Sequence, residues 1–516
     1  MKPWSSIAAK TQHSYQKLLI GLENCAESQQ QQLTQLLKLN SDTHFGQYHH
    51  FKDIHNVDQF RNKIPLQSYD DLSPYIEEQL QGKSSLMAEP LLHVELTSGS
   101  SNCSNSSRLI PYTTSSLQAF QNAIHPWLHD IAQYYPRLDS SYFAISPAAR
   151  SIQFTADGIA IGASSDALYL GEQLLQEISA ISLVPEQLAA LTDIRQWQYL
   201  TLAYWLRAEN LSLISVWSPT FISTLLAALP AFSEQLIHDI HNGTNSTLAG
   251  VAPLSADPKR AAIVDKALSG NKVNTQLLWP DLQLISCWTH ASAARFIPQL
   301  QTLFPHAKIQ GKGLLSTEGV VSIPLTAYDY PVLAVNSGFY EFLDKTGNSY
   351  LAHELRADHQ YEIVITVPGL YRYQTGDQVR IQGRAGIAPQ LEFIGRSGLS
   401  CDLVGEKLTD AFVAGCLEGI EGFAMIAPTM EPQPHYCLYI EQIDNNKLLE
   451  KVEQALYRNP QYAYARTLGQ LAPLRLIAVD HAWQKYQNWA LNKGMRLSDI
   501  KPPSLRPEMD WTSLMQ

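Results

Sequence analysis

The chain opens on a long helical period. Leu18, Leu19, Leu22, Leu33, Leu36 and Leu37 recur at three- and four-residue spacing across residues 5–40, around the glutamine run Gln29 to Gln32. The glutamines read as a solvated helix face. A short apolar run, Leu91, Leu92, Val94 and Leu96, predicts a buried strand. From Thr97 to Ser107 it gives way to residues that are nearly all hydroxyl, amide or glycine, and a helical pattern resumes from Thr113 through Leu117, Phe120, Ile124 and Trp127. Between 140 and 330 strands and helices alternate. Ile214 to Pro219 reads as a strand and Thr220 to Leu229 as the following helix. Leu282 to Trp288 and Ala291 to Phe304 repeat the pair. This alternation predicts a mainly parallel α/β architecture. From 331 to 396 short runs rich in Val, Ile, Tyr and Phe are separated by Gly, Asp and Asn, the texture of an antiparallel meander or small barrel. Gly395-Arg396-Ser397-Gly398 reads as a hinge. The expected fold class is therefore α/β. A large N-terminal domain, residues 1–395, combines mixed sheets with a β-barrel-like part, and a smaller, mobile α+β domain occupies 396–516.

A chain of 516 residues is too long for one core, in keeping with that division. Net charge is 37 − 48 = −11, with no basic segment, which excludes nucleic acid as an expected partner. Six cysteines lie far apart without a CxxC pair. That spacing argues against a disulfide scaffold or zinc site and fits a reducing cytoplasm. The N-terminus carries no apolar signal core, and the most apolar stretch, Leu200 to Leu226, is interrupted by Arg207, Glu209 and Asn210. No membrane association is expected.

Four motifs carry candidate chemistry. The loop from Thr97 to Arg108 offers many hydroxyls and backbone N–H groups to one anion, as a phosphate cradle would. A solvated linker is the alternative. Gly313-Leu314-Leu315-Ser316-Thr317-Glu318-Gly319 places a carboxylate beside two hydroxyls, which suits Mg²⁺ shared with phosphate oxygens; a helix N-cap is the alternative. Tyr371-Arg372-Tyr373-Gln374-Thr375-Gly376-Asp377 ends in an aspartate suited to a vicinal ribose diol, or in a plain hairpin turn. Tyr371 and Tyr373 would pack near the base or structure the turn. Arg396 would bridge ribose or phosphate at the hinge, or be a surface arginine after an edge strand.

In this order and spacing the four motifs resemble the adenylate-forming superfamily of acyl-CoA ligases, luciferases and peptide-synthetase adenylation domains. Within it the chain is most similar to the auxin-responsive (Gretchen Hagen) family of acyl-acid amido synthetases, with a bacterial-type member expected. Asn40 to Gly46, Phe60 to Pro65, Tyr69 to Glu77, Val216 to Phe221, Tyr340-Glu341-Phe342, Gly369 to Tyr373 and Ile500 to Pro503 carry the resemblance across nearly the whole chain. It implies that Ser98, Gly99, Ser100 and Ser101 hold ATP phosphates, with Arg108 where the family usually has Lys. Thr317 would contact the α-phosphate with Ser316 beside it, and Glu318 would hold Mg²⁺. Asp377 would bind the ribose diol, and Arg396 would sit at the hinge against the nucleotide. Lys501 would reach the adenylate from the small domain. Two departures stand out: the phosphate loop is glycine-poor, and Leu314 occupies the place of an expected tyrosine.

The resemblance implies two half-reactions. A carboxylic acid is adenylated by ATP with release of pyrophosphate, then an amine, most often an amino acid, takes the acyl group and AMP leaves. Glu318, Arg396 and Lys501 are the expected catalytic residues, ATP and Mg²⁺ the expected cofactors, and a monomer or weak dimer the expected state. The alternatives are an acyl-CoA ligase, disfavoured by the ending Lys501-Pro502-Pro503-Ser504, and a non-catalytic nucleotide- or acid-binding homologue. The acyl pocket is expected in the large domain, near Tyr142 to Tyr169. Gly82-Lys83-Ser84 lacks the preceding glycine of a Walker loop, and His353 to His359 has the wrong spacing for a helical zinc site.

Overall fold

The structure is a computed structural model. It describes residues 3–97, 108–135, 138, 141–144, 153–155, 158–162, 167–185, 187–188, 191, 193–244, 253–270, 272–396, 399–441, 446–495, 497, 500–509 and 511–515. Ser98, Gly99, Ser100 and Ser101 therefore lie outside the described residues, as does much of the stretch expected to form the acyl pocket.

The N-terminal helical period is two helices, Pro3–Glu23 and Cys25–Leu39, broken at Asn24. Leu18, Leu22, Leu33 and Leu37 pack inward while Leu19 is exposed, and one of the glutamines is buried with them. Gln29 is buried, donates to the carbonyls of Val335 and Gly338 at 2.9 and 2.8 Å, and accepts from Tyr340 N at 2.8 Å. The expected solvated face is thus corrected at this position: a primary amide can satisfy three backbone groups at once, where an apolar side chain would strand them.

The alternating middle of the chain forms a four-stranded parallel sheet in the order Ser141–Ala144, Leu211–Ser215, Leu284–Cys287 and Lys308–Gly311. Helices Ile194–Arg207 and Pro219–Ala228 cover it with Trp197, Trp205, Phe221 and Leu225. A second sheet carries the stem of the hydroxyl-rich loop, with His93–Leu96 antiparallel to Leu109–Tyr112. The 331–396 region is the meander of the two forms expected. Its seven-stranded antiparallel sheet begins at Ser322–Ile323, ends at Ser349–Leu351, and has Leu370–Ala385 and Ala388–Arg396 at its centre.

The C-terminal part has a three-stranded sheet, Ala424–Thr429, His435–Ile440 and Arg475–Ala478, with helices on it. One face builds its own core through Leu408, Val413, Ile426 and Leu456. The other face, with Phe423, Met425 and Tyr439, joins Trp483 and Tyr486 of helix Ala482–Asn492 in a core shared with the parallel-sheet layer. Phe296 meets Trp483 there at 5.7 Å between ring centroids. Among the described residues no single helix is long and apolar enough to cross a membrane.

Candidate functional site

The site lies where the parallel sheet, the meander and the C-terminal segment converge. Asp377 and Arg396 belong to motifs nineteen residues apart, yet they sit opposite one another on adjacent antiparallel strands. Arg396 Nε donates to Asp377 Oδ1 at 2.6 Å, and the Asp377 side chain is only 5% exposed. A bulge aims this aspartate. Gln374 and Gln378 pair with Val364 and Glu362, so three residues stand across from one, and Gly376 takes the left-handed φ of 74° that the bend requires. Asp377 N donates to Thr375 Oγ1 at 3.1 Å and fixes the turn of chain. Gly376-Asp377 is therefore a bulge inside the strand Leu370–Ala385; this overturns the hairpin alternative. Arg396 is held protonated, chiefly by Asp377 and further by Glu318 and Tyr373.

Thr317 and Glu318 form the tip of a tight hairpin between Leu315–Ser316 and Gly319–Val320, so the helix N-cap alternative does not apply. Tyr112 donates its hydroxyl to Thr317 O at 2.7 Å and pins the tip to the stem of the hydroxyl-rich loop. Glu318 is half-buried, and no hydrogen bond or ion pair occupies its carboxylate among the described residues. Its charge is felt nearby: burial first, then Glu318, pushes Tyr373 up to about 12. Tyr112 is raised in the same way, by burial first and then by Glu95 and Glu318.

Arg108 closes the base of the loop. Thr97 N donates to Arg108 O at 3.0 Å. The guanidinium donates to Tyr373 Oη at 3.2 Å and lies 5.3 Å from the Tyr69 ring centroid. An arginine can donate to Tyr373 and sit over the Tyr69 ring at once through its broad guanidinium, which a lysine's single ammonium does less readily. Tyr371, by contrast, is structural. It stacks on Phe45 at 5.0 Å and donates to Leu86 O at 2.8 Å. Arg372 between them pairs with Glu341, fully buried, which also takes Arg61 Nε at 2.9 Å. Three of the resembling motifs thus meet in one ionic node that holds the N-terminal helices on the meander.

A cavity of about 170 Å³ opens beside the Asp377–Arg396 pair. Ser316, Asp377 and Arg396 form one wall; Lys501 and Arg506 come from the C-terminal segment; Trp288, His290 and Lys312 come from the ends of the parallel strands. Thr317 and Glu318 line a separate narrow recess with Tyr112 and Ser337. Lys501 Nζ lies 4.6 Å from the Trp288 ring centroid. Its segment is anchored on both sides. Arg295 Nη2 donates to Pro503 O at 2.9 Å, and Asp410 Oδ1 accepts from Ser504 N and Leu505 N at 3.3 and 3.0 Å. Burial raises the Asp410 carboxyl and lowers Arg295 to about 10, each opposed by the other's charge. Among the described residues no group of three His, Cys, Asp or Glu side chains could hold a metal on its own.

The structure brings Arg108, Ser316, Thr317, Glu318, Asp377, Arg396 and Lys501 into one region. Trp288, Lys312, Tyr112 and the Arg295–Asp410 pair are additions that the sequence reading missed. The lysine two residues before Leu314 was the one available signal, since it follows a strand end pointing at the motif.

The fold is shared with ligases of known structure. A 2-hydroxyisobutyryl-CoA ligase solved in the postadenylation state aligns over 93% of this chain and 89% of its own, with TM-score 0.53 and 11% identity. A solved GH3.15 acyl acid amido synthetase aligns over 97% of this chain and 95% of its own, with TM-score 0.82 and 20% identity. The family models of the GH3 N-terminal, central and C-terminal domains match residues 15–309, 331–396 and 407–508, and the chain belongs to the GH3 family. Among its relatives, a probable indole-3-acetic acid-amido synthetase GH3.1 of Arabidopsis thaliana is 22% identical across 93% of this chain and 89% of its own. A jasmonoyl–L-amino acid synthetase JAR6 of Nicotiana attenuata is 22% identical across 75% and 72%.

Proposed function

We propose that this protein is an ATP-dependent acyl-acid amido synthetase, a ligase that joins a small carboxylic acid to an amine through an acyl-adenylate. The relatives named above are amido synthetases of acids and amino acids, and the fold is shared with one along its length. The observation that carries the reading is the Asp377–Arg396 pair, which lines one cavity together with Ser316 and Lys501. A buried carboxylate suits a vicinal diol. Arg396 and Lys501 suit the charge that develops as an acid oxygen attacks the α-phosphorus and the bond to pyrophosphate breaks.

Ser98, Gly99, Ser100, Ser101 and Arg108 would hold the ATP phosphates, Thr317 the α-phosphate, and Asp377 the ribose. Glu318 fits Mg²⁺: its carboxylate is uncommitted among the described residues and stands beside the proposed phosphate site, and this ion prefers one or two carboxylates with phosphate oxygens. Bound there, Mg²⁺ would neutralise phosphate charge. In the second half-reaction the amine nitrogen attacks the acyl carbon, the bond to AMP breaks, and the nitrogen loses a proton. The domains divide at 395/396, supported by the central model ending at 396 and the next beginning at 407. Rotation there would exclude water from the adenylate. Five free thiols among the described residues, all buried, support a cytoplasmic setting. A monomer or weak dimer is the proposed state. Acid-dependent exchange of labelled pyrophosphate into ATP tests adenylation, and adding amino acids or coenzyme A afterwards separates amide from thioester formation.

A further inference from the structure

Lys312 follows the last strand of the parallel sheet and lines the cavity. Its ammonium donates to Ser215 Oγ at 2.8 Å and lies 5.1 and 5.5 Å from the ring centroids of Trp127 and Trp217. Trp217 in turn meets Trp288 at 5.8 Å. Among the described residues no carboxylate pairs with Lys312, and two of its three protons have no hydrogen-bond acceptor. Other buried cations of this chain are tied to backbone. Arg260 donates to the carbonyls of Leu206, Ala208 and Leu278, and Arg295 donates to that of Pro503. Burial lowers Lys312 to about 8, opposed only slightly by Cys287 beside it. Lys312 lines the same cavity as Ser316, Asp377 and Arg396, but from the end of a different strand.

A half-buried ammonium that lines a cavity between indoles, with a single hydroxyl for company, suits an incoming anion. We infer that Lys312 selects the acyl substrate by pairing with a second carboxylate at its far end, so that dicarboxylic acids are preferred over matched monocarboxylic ones. This rests on the amido synthetase reading above and names the substrate class of that site.

The test compares adipate with hexanoate and terephthalate with benzoate in pyrophosphate exchange, for the wild-type protein, K312M and K312R. The diacid-to-monoacid ratio of kcat/KM is expected to favour diacids in the wild type. It should fall roughly 30-fold or more in K312M, the loss that follows removing one partner of a buried charge pair, and partly recover in K312R. Monoacids preferred by the wild type, or an unchanged ratio in K312M, would overturn the inference. Tryptophan fluorescence titration without ATP separates the two readings, because Trp127 and Trp217 flank the ammonium. Saturable quenching by a diacid in the wild type and not in K312M, with no exchange for any acid, keeps the Lys312 site and sinks adenylation. No quenching by either diacid overturns the Lys312 site itself. Melting curves show whether K312M folds; relief of an unpaired buried charge predicts an unchanged or higher Tm.

Discussion

Replacing Asp377 with Asn tests the nucleotide wall, because it removes a charge and little volume. The carboxylate is 5% exposed and holds Arg396, itself 24% exposed, at 2.6 Å. Breaking a buried pair costs about 3–5 kcal/mol, and the exposure of Arg396 places this one near or below the lower end. That is a stability effect, read as a lower Tm. The binding effect is separate. A hydrogen bond to a charged acceptor contributes about 1.5–3 kcal/mol, and a diol on a carboxylate makes two. Asn keeps one acceptor, so D377N should lose about 2–3 kcal/mol of ATP recognition, or roughly 30- to 150-fold in KM for ATP. The discriminating assay compares ATP with 2′-deoxyATP in both proteins. The wild type should favour ATP strongly, and D377N should nearly abolish that difference, as a double-mutant cycle between aspartate and hydroxyl requires. If D377N lowers Tm and activity but leaves the ATP-to-2′-deoxyATP ratio at the wild-type value, Asp377 only positions Arg396 and the diol assignment fails.

Glu318→Gln should slow adenylation by about 10²-fold or more and shift the Mg²⁺ titration to higher concentration; an unchanged metal response would reduce Glu318 to a turn residue. Lys501→Met should slow pyrophosphate exchange by about 10²-fold while nucleotide binding, measured by calorimetry, stays close to wild type; equal losses in both would make Lys501 a binding residue. Glu341→Ala leaves Arg61 and Arg372 without their shared carboxylate and should destabilise the fold by about 3–5 kcal/mol in denaturant melts, with the loss concentrated in the N-terminal helices and meander. The affinity for adipate should be flat at low pH and fall as pH rises through about 8, because Lys312 is charged below that value and neutral above it; the facing groups, Ser215, the indoles and the Cys287 thiol, stay neutral throughout. Fluorescence titration from pH 6 to 9 measures this, and affinity that rises with pH would refute it.

Residues that act through a local pattern were legible. The alternation over 200–304 gave the parallel strands, and the Gly-Asp and Gly-Arg motifs marked two positions that the meander places face to face. What the sequence hid was partnership over long separation. Gln29 reads as solvated because nothing near it shows that Val335, Gly338 and Tyr340 need its amide. Glu341 carries the resemblance without revealing that Arg61 and Arg372 converge on it. Lys312 was passed over because a lysine after a strand is ordinarily solvated; only the approach of Trp127 and Trp217, from two other elements, makes it unusual. The hairpin reading of Gly376-Asp377 failed for a related reason: a left-handed glycine also suits a bulge, and the partner strand decides between them.

The central claim is that this chain activates a carboxylic acid with ATP and passes it to an amine. One coupled measurement tests it: pyrophosphate exchange across a panel of mono- and dicarboxylic acids, followed by mass analysis after amino acids are added to the responding acid. The account predicts exchange that depends strictly on the acid, then AMP release and a product heavier than the acid by the amino acid less one water. Absence of acid-dependent exchange and AMP release with every acid–amine pair would contradict it.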